Sequence, residues 1–307
     1  MRVLFMGSGE IALPSLQWLI ASENDVVAVV TQPDKPVGRH QILTASAIKQ
    51  TALDAQIPVL QPVKIRELQI IETLAAFNPD FIIVMAYGQI LPKVLLDLPK
   101  IACLNLHASL LPRHRGASPI HAAILAGDEK TGITLMHMDV GLDTGDMVLA
   151  KEIPIASTDT AGLLHDRLAA LSPLVLEEGL AQFAENRATR TPQTPELVTV
   201  SGKLDRDSGR IDWNSDAVSI ERQIRAMHPW PGAFTFLPNG KKLKIHQAGV
   251  AFDSGRPGEI LQASHQLIIA AGENAICLNE IQLEGRARMK AADFTRGHPL
   301  RPHTCLS

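Results

Sequence analysis

Over the first 180 residues, short apolar runs that stop at Gly or Pro turns alternate with longer stretches in which apolar residues recur at helical spacing. Strands are predicted at Val3 to Met6, Val26 to Thr31, Phe81 to Ala86 and Ile101 to His107, with two more near Ile133 to Met138 and Met147 to Ile153. Helices are predicted near Ala12 to Ala21, Ser46 to Ala55, Lys64 to Phe77, Ser118 to Leu125 and Thr160 to Ala184. The alternation predicts an α/β fold with a mostly parallel sheet. The run Phe81-Ile82-Ile83-Val84-Met85-Ala86 is apolar at every position, as expected of a strand covered on both faces, which places it at the centre of that sheet.

After Asn186 the periodicity stops. Arg187 to Pro195 is polar and carries two prolines, which reads as a linker. Beyond it come one predicted helix, near Ser215 to Met227, and short β-like runs broken at Pro238-Asn239-Gly240, Gly255-Arg256-Pro257-Gly258 and Gly272-Glu273-Asn274. A small β-barrel domain is expected there. The predicted boundaries are a first domain over 1–186, a linker over 187–203 and a second domain over 204–307.

Composition agrees with two cores: 307 residues, 46% of them apolar, exceed the usual size of one domain. The start of the chain lacks a charged leader, and no apolar run reaches the roughly 20 residues that span a bilayer, so a cytoplasmic protein without membrane attachment is expected. Cys103, Cys277 and Cys305 are odd in number and far apart, which argues against a disulfide framework and a zinc site. Charge is uneven. Residues 1 to 200 carry 15 Lys and Arg against 21 Asp and Glu, whereas residues 201 to 307 carry 14 against 11, so an anionic partner is expected at the C-terminal part.

Three stretches carry candidate chemistry. Gly7-Ser8-Gly9-Glu10-Ile11-Ala12 follows a strand in the form of a dinucleotide fingerprint, with Asp34 as its acidic ribose ligand, although a tight turn into a helix explains it as well. Asn105 and His107 lie two apart at the end of an apolar strand, so their side chains share a face where α/β sheets bind ligands. An amide beside an imidazole suits an oxyanion and the handling of a proton. Asp139, Asp143 and Asp146 share an acidic, glycine-bearing loop from Met138 to Asp146 whose carboxylate could orient His107; of the three, Asp143 is the chosen one. Cys103 has the same parity but lies deeper in the strand and reads as core.

These stretches resemble the methionyl-tRNA formyltransferases within the folate-dependent formyltransferases. The resemblance rests on Asn105-Leu106-His107-Ala108-Ser109-Leu110-Leu111-Pro112-Arg113 with Arg115-Gly116, on Met138 to Met147, and on Ala86 to Pro92. Thr31-Gln32-Pro33-Asp34 with Gly38-Arg39, and Pro229-Trp230-Pro231-Gly232, are similar to the tRNA branch. The resemblance implies a catalytic trio of Asn105, His107 and Asp143, and a site for the donor 10-formyltetrahydrofolate lined by Ser109, Leu110, Leu111, Pro112, Tyr87, Gly88 and Ile90. It also implies a Rossmann-like catalytic domain and a C-terminal barrel similar to an OB fold that supports charged initiator methionyl-tRNA. Arg39, Lys241, Lys242, Arg286, Arg288 and Lys290 are the expected RNA contacts, with no metal and a monomeric enzyme. Where many members of the family have a Gly and a pair of lysines after Gly38-Arg39, this chain has His40-Gln41-Ile42. Transfer to an amino sugar or nucleotide, hydrolysis of formyl-folate, a dehydrogenase and a non-catalytic RNA-binding protein are the competing readings.

Overall fold

The computed structural model describes residues 1–37 and 42–307, in two compact units. Unit 1 comprises residues 1–119, 130–154 and 165–201, and unit 2 comprises 120–129, 155–164 and 202–307.

In unit 1, β1 (Arg2–Gly7) leads into helix α1 (Leu13–Ala21), and β2 (Asp25–Val30) into a hairpin of β3 (Lys35–Val37) and β4 (Ile42–Thr44). Helix α2 (Ala47–Asp54), β5 (Val59–Leu60), helix α3 (Leu68–Ala76), β6 (Phe81–Met85), helix α4 (Lys93–Leu96), β7 (Ala102–His107) and β8 (Arg115–Gly116) follow. Helix α5 (Pro119–Ala126) precedes β9 (Lys130–His137) and β10 (Met147–Pro154), and helix α6 (Ala161–Ala184) precedes β11 (Val200–Ser201), which pairs in parallel with β8.

The main sheet has the order β10-β9-β7-β6-β1-β2-β5, which puts the all-apolar strand β6 in the middle. β5, β2, β1, β6 and β7 are parallel, whereas β9 and β10 are antiparallel additions at one edge. Both faces are covered. Leu4, Met6, Ile82 and Val84 pack with Ile65, Leu74 and Leu95 on one side. On the other, Phe81 meets Phe183 of α6 edge-on at 5.2 Å, and Ser15 of α1 hydrogen-bonds Ser172 of α6 at 2.7 Å. Gly179 is required in α6 because a Cβ there would overlap the Leu135 side chain of β9.

The polar stretch after Asn186 is structured. Thr191 exchanges both backbone hydrogen bonds with Met147 at 2.9 Å, and β11 continues the contact, so residues up to Ser201 belong to unit 1. Polarity and proline misdirect the reading here because the segment pairs through its backbone, which side-chain pattern does not report.

Unit 2 holds helix α7 (Ala217–Ala226), capped by Asp216 Oδ1 on Ser219 N–H at 2.9 Å, and an antiparallel sheet in the order β12-β13-β16-β15-β14. Its strands are β12 (Ala233–Phe236), β13 (Lys242–Ala251), β14 (Ile260–Ala263), β15 (Leu267–Ala270) and β16 (Ala275–Leu283), with β17 (Met289–Lys290) beside β16 and helix α8 (Ala291–Gly297) after it. The path is an open one among the described residues. Between its edges run residues 303 to 307: Ile260 N–H reaches Thr304 O at 2.9 Å, Leu306 N–H reaches Gly258 O at 2.8 Å, and Phe236 exchanges backbone bonds with Ser307 at 2.8 and 3.1 Å. The expected barrel is thus an antiparallel sheet laced by an irregular C-terminal segment. Segments 120–129 and 155–164 join this unit, as Arg225 Nη1 donating to Asp159 O at 3.0 Å and Gly162 N–H to His228 O at 3.1 Å show.

Candidate active site

The carboxyl ends of β6 and β7 lie side by side, with Val84 opposite Asn105. Because side chains alternate along a strand, Asn105 and His107 leave β7 on one face, and both are buried. Across from them is the turn between β9 and β10. Asp143 stands there with φ at +53°, a left-handed conformation uncommon for a residue with a Cβ. Its Oδ1 lies 3.4 Å from Asn105 Nδ2 and its Oδ2 3.6 Å from His107 Nδ1. The three residues chosen from the sequence are therefore neighbours, although 38 positions separate Asn105 from Asp143.

Backbone groups complete the cluster. Gly116 N–H donates to Asp143 Oδ2 at 2.8 Å, and His107 Nε2 lies 3.0 Å from His114 O. A carbonyl only accepts, so Nε2 carries a ring hydrogen there, and Nδ1 is the ring nitrogen that faces Asp143. Gly116 has φ +110°, and a Cβ would overlap Ser201 O. The turn after β7 is fixed by Ser109 Oγ on Arg113 O at 2.6 Å and by Thr134 Oγ1, which donates to Ser109 O at 2.7 Å and accepts from Leu111 N–H at 3.1 Å.

Of the acidic loop, Asp139 accepts from Gly141 N–H at 3.0 Å and from Thr144 Oγ1 at 2.6 Å, and Asp146 pairs with Arg190 at 3.0 Å. Geometry thus separates three aspartates that spacing does not. Cys103 is buried, and burial pushes its thiol up to about 12, which suits a core thiol. The Gly7 to Ala12 stretch is a turn into α1: Ser8 Oγ accepts from Gln32 N–H at 3.0 Å, and Asp34 is taken by Lys49 Nζ at 2.6 Å and Gln61 Nε2 at 2.8 Å. These partners hold the Asp34 carboxyl below its usual range, Lys49 foremost. A carboxylate already committed to an ammonium and an amide is no ribose ligand, and the dehydrogenase reading fails on it.

The expected donor-site residues divide by exposure. Gly88 and Ile90 are exposed and Leu110 is half-buried, whereas Ser109, Leu111, Pro112 and Tyr87 are buried. The Tyr87 ring belongs to the core cluster, its Oη has no hydrogen-bond partner among the described residues, and burial pushes the phenol up to about 12. What Tyr87 offers the loop is its carbonyl, which accepts from Gln32 Nε2 at 3.0 Å and Ser8 Oγ at 3.4 Å.

Arg39 lies outside the described residues. The other basic positions are on unit 2. Lys241 and Lys242 lead into β13, with Lys242 Nζ 3.4 Å from the Phe234 ring centroid. Lys244 of β13 is level with Gln282 of β16, whose amide donates to Arg286 O at 2.9 Å, and Lys290 of β17 is level with Glu280, the partner of Arg288. The two basic groups, far apart in sequence, thus come to strands that both pair with β16. Gln193, assigned to the linker, donates to the Asp143 and Gly145 carbonyls at 2.8 Å, a contact that the sequence reading missed; a single glutamine in a polar run carries no local signal.

A buried amide and imidazole facing a half-buried carboxylate at the carboxyl end of an α/β sheet suit acyl-type transfer. The chain belongs to the formyl transferase family: the model for "Formyl transferase" matches residues 1–180 and that for "Formyl transferase, C-terminal domain" matches 203–299. It is 44% identical over 307 residues to the methionyl-tRNA formyltransferase of Geobacter sulfurreducens, covering 100% of this chain and 96% of that one. Identity to the methionyl-tRNA formyltransferase of Pseudomonas fluorescens strain SBW25 is 47% over 295 residues, covering 96% and 93%. Among solved structures, the sugar 3N-formyl transferase WlaRD, crystallised in the presence of dTDP and 5-N-formyl-THF, superposes with a TM-score of 0.69 at 20% identity, over 94% of this chain and 99% of that one.

Proposed function

We propose that this enzyme transfers the formyl group of 10-formyltetrahydrofolate to the α-amine of methionine charged on initiator tRNA, in the cytoplasm and as a monomer. The observation that carries the reading is the cluster of buried Asn105 and His107 with half-buried Asp143, in a chain similar end to end to methionyl-tRNA formyltransferases.

The neutral amine attacks the formyl carbon, so the nucleophile comes from the substrate. Asn105 Nδ2 stabilises the oxygen as it takes negative charge, joined by the His107 ring once that ring is protonated. Asp143 and the open Nδ1 of His107 accept the proton that the amine loses. The Asp143 carboxylate then offsets the charge of a protonated imidazole. When the tetrahedral species collapses, the bond from the formyl carbon to the folate nitrogen breaks and that nitrogen takes up a proton, so no proton is gained or lost overall. Gly88, Ile90 and Leu110 are the exposed or half-buried side of the donor site, with Tyr87, Ser109, Leu111 and Pro112 behind them. Arg39, Lys241, Lys242, Arg286, Arg288 and Lys290 track the RNA backbone.

Purified protein is incubated with formyl-folate and charged initiator tRNA, charged elongator methionine tRNA, a nucleotide-linked amino sugar, or buffer alone. Formyl-methionine formed on initiator tRNA in preference to the other acceptors is the expected result. Formate released in buffer at the same rate would identify a hydrolase, and faster formylation of the sugar would overturn the acceptor.

A further inference from the structure

Gln193 is buried, and its amide is fully committed. Nε2 donates to the carbonyl oxygens of Asp143 and Gly145, each at 2.8 Å, and Oε1 accepts from Arg115 Nε at 3.0 Å and Nη2 at 2.8 Å. The orientation of the amide follows from its partners: two carbonyls only accept and a guanidinium only donates, so nitrogen must face the loop and oxygen must face Arg115. On either side of the clamp, Arg190 pairs with Asp146 and Thr191 is bridged to Met147.

The residue held this way is in an uncommon conformation. Asp143 at φ +53° carries a backbone cost that the surroundings must offset. In that conformation its carboxylate meets Gly116 N–H and faces Asn105 and His107. Arg115, the other partner of Gln193, is the residue before Gly116. One amide therefore holds the backbone of the carboxylate and the strand that supplies the carboxylate's donor.

We infer that Gln193 is a positioning residue for formyl transfer, which keeps the Asp143 carboxylate aimed at His107 by clamping the Asp143 and Gly145 carbonyls against Arg115. The inference rests on the reading of Asp143 as the catalytic carboxylate. A buried amide of purely structural use would leave turnover intact once the protein is folded.

The test uses the full chain with formyl-folate and charged initiator tRNA. Gln193→Ala removes both donors, and Gln193→Glu removes them while keeping an acceptor for Arg115. Each is expected to lower kcat about 10- to 100-fold, the cost of displacing a reacting group by about 1 Å, with KM for both substrates unchanged. The deciding measurement is the double variant: in an Asp143→Asn background, Gln193→Ala should cost nothing further, because there is no carboxylate left to aim. Wild-type kcat in folded Gln193→Ala, an equal loss with and without Asp143, or failure of both single variants to fold would each overturn the inference. If Asp143→Asn alone keeps wild-type kcat, the catalytic reading falls and the inference with it; if Asp143→Asn is impaired and Gln193→Ala is not, only the inference falls.

Discussion

The two compact units hold their functional groups in opposite ways. In unit 1, His107 and Asp143 have side-chain exposures of 6% and 15%, and each is tied to main chain: His107 to His114 O, Asp143 to Gly116 N–H and, through its own carbonyl, to Gln193. In unit 2, Lys241, Lys244, Arg286, Arg288, Lys290 and Arg296 stand on exposed positions, and Arg288 and Arg296 pair with other side-chain ends, Glu280 and Asp293. The contrast matches the work that the proposed function gives each. A group that handles a proton loses its rate when it moves by an ångström, whereas phosphate neutralisation adds up over many loosely held charges. Substitutions in unit 1 should act on turnover, and those in unit 2 on the salt dependence of acceptor use.

The largest effect is expected from Asp143→Asn, which removes the charge without changing shape and should lower kcat about 1,000-fold while circular dichroism stays native. Near-normal turnover would end the comparison at its strongest point. Asn105→Ala should cost about 3 kcal/mol of transition-state stabilisation if its amide meets the oxyanion; an unchanged single-turnover rate would put that site elsewhere. Gly116→Ala tests the main-chain support directly. The new Cβ would overlap Ser201 O at a φ of +110°, so urea unfolding should show a loss on the order of 2 kcal/mol, and a native midpoint would mean that the β8–β11 pairing yields easily.

Smaller effects belong to unit 2. Replacing Lys241, Arg286 and Lys290 together with Ala should raise KM for charged tRNA, leave KM for formyl-folate and kcat alone, and lower the slope of log K against log salt by about 0.9 for each phosphate no longer neutralised. A slope equal to wild type would reduce these residues to solubilising charge. Deleting everything after Leu204 is a poorer test, since residues 120–129 and 155–164 would lose the unit they belong to. The smallest effect concerns His228 and His246. Burial first, and then the positive charge of Arg288, holds both below the ordinary value of 6.5, with Glu280 opposing at His228 and Gln282 at His246; for His246, His228 and Lys244 add to the lowering. The unfolded chain therefore binds their protons more readily. Stability from this source is fully present above pH 6.5 and is lost as pH falls through the folded values. Melting temperatures from pH 7.5 to 5 should decline in the wild type and decline less in a His228→Asn, His246→Asn double variant. His137, lowered mainly by burial, keeps part of the slope; identical slopes would remove the histidines from the account.

Much of this protein was legible along the chain, for a physical reason that differs from feature to feature. Continuous apolarity put Phe81–Met85 at the sheet's centre because a strand covered on both faces can spare no polar position. Parity put Asn105 and His107 on one face, and the resemblance of their surroundings added Asp143 to them. What the sequence determined, then, is what depends on alternation within a strand or on a contiguous motif: the sheet, the pair on β7, the acidic loop, the excess of basic residues after position 200. Tertiary structure alone decided that β9 and β10 run antiparallel to their neighbours, that residues 120–129 and 155–164 belong with unit 2, and that Lys244 comes level with Gln282. It also decided which aspartate of three meets His107, and that Gln193, 50 positions beyond Asp143, holds that loop in place. Those outcomes turn on backbone hydrogen bonds and on distances across the fold, which no periodicity of side chains records.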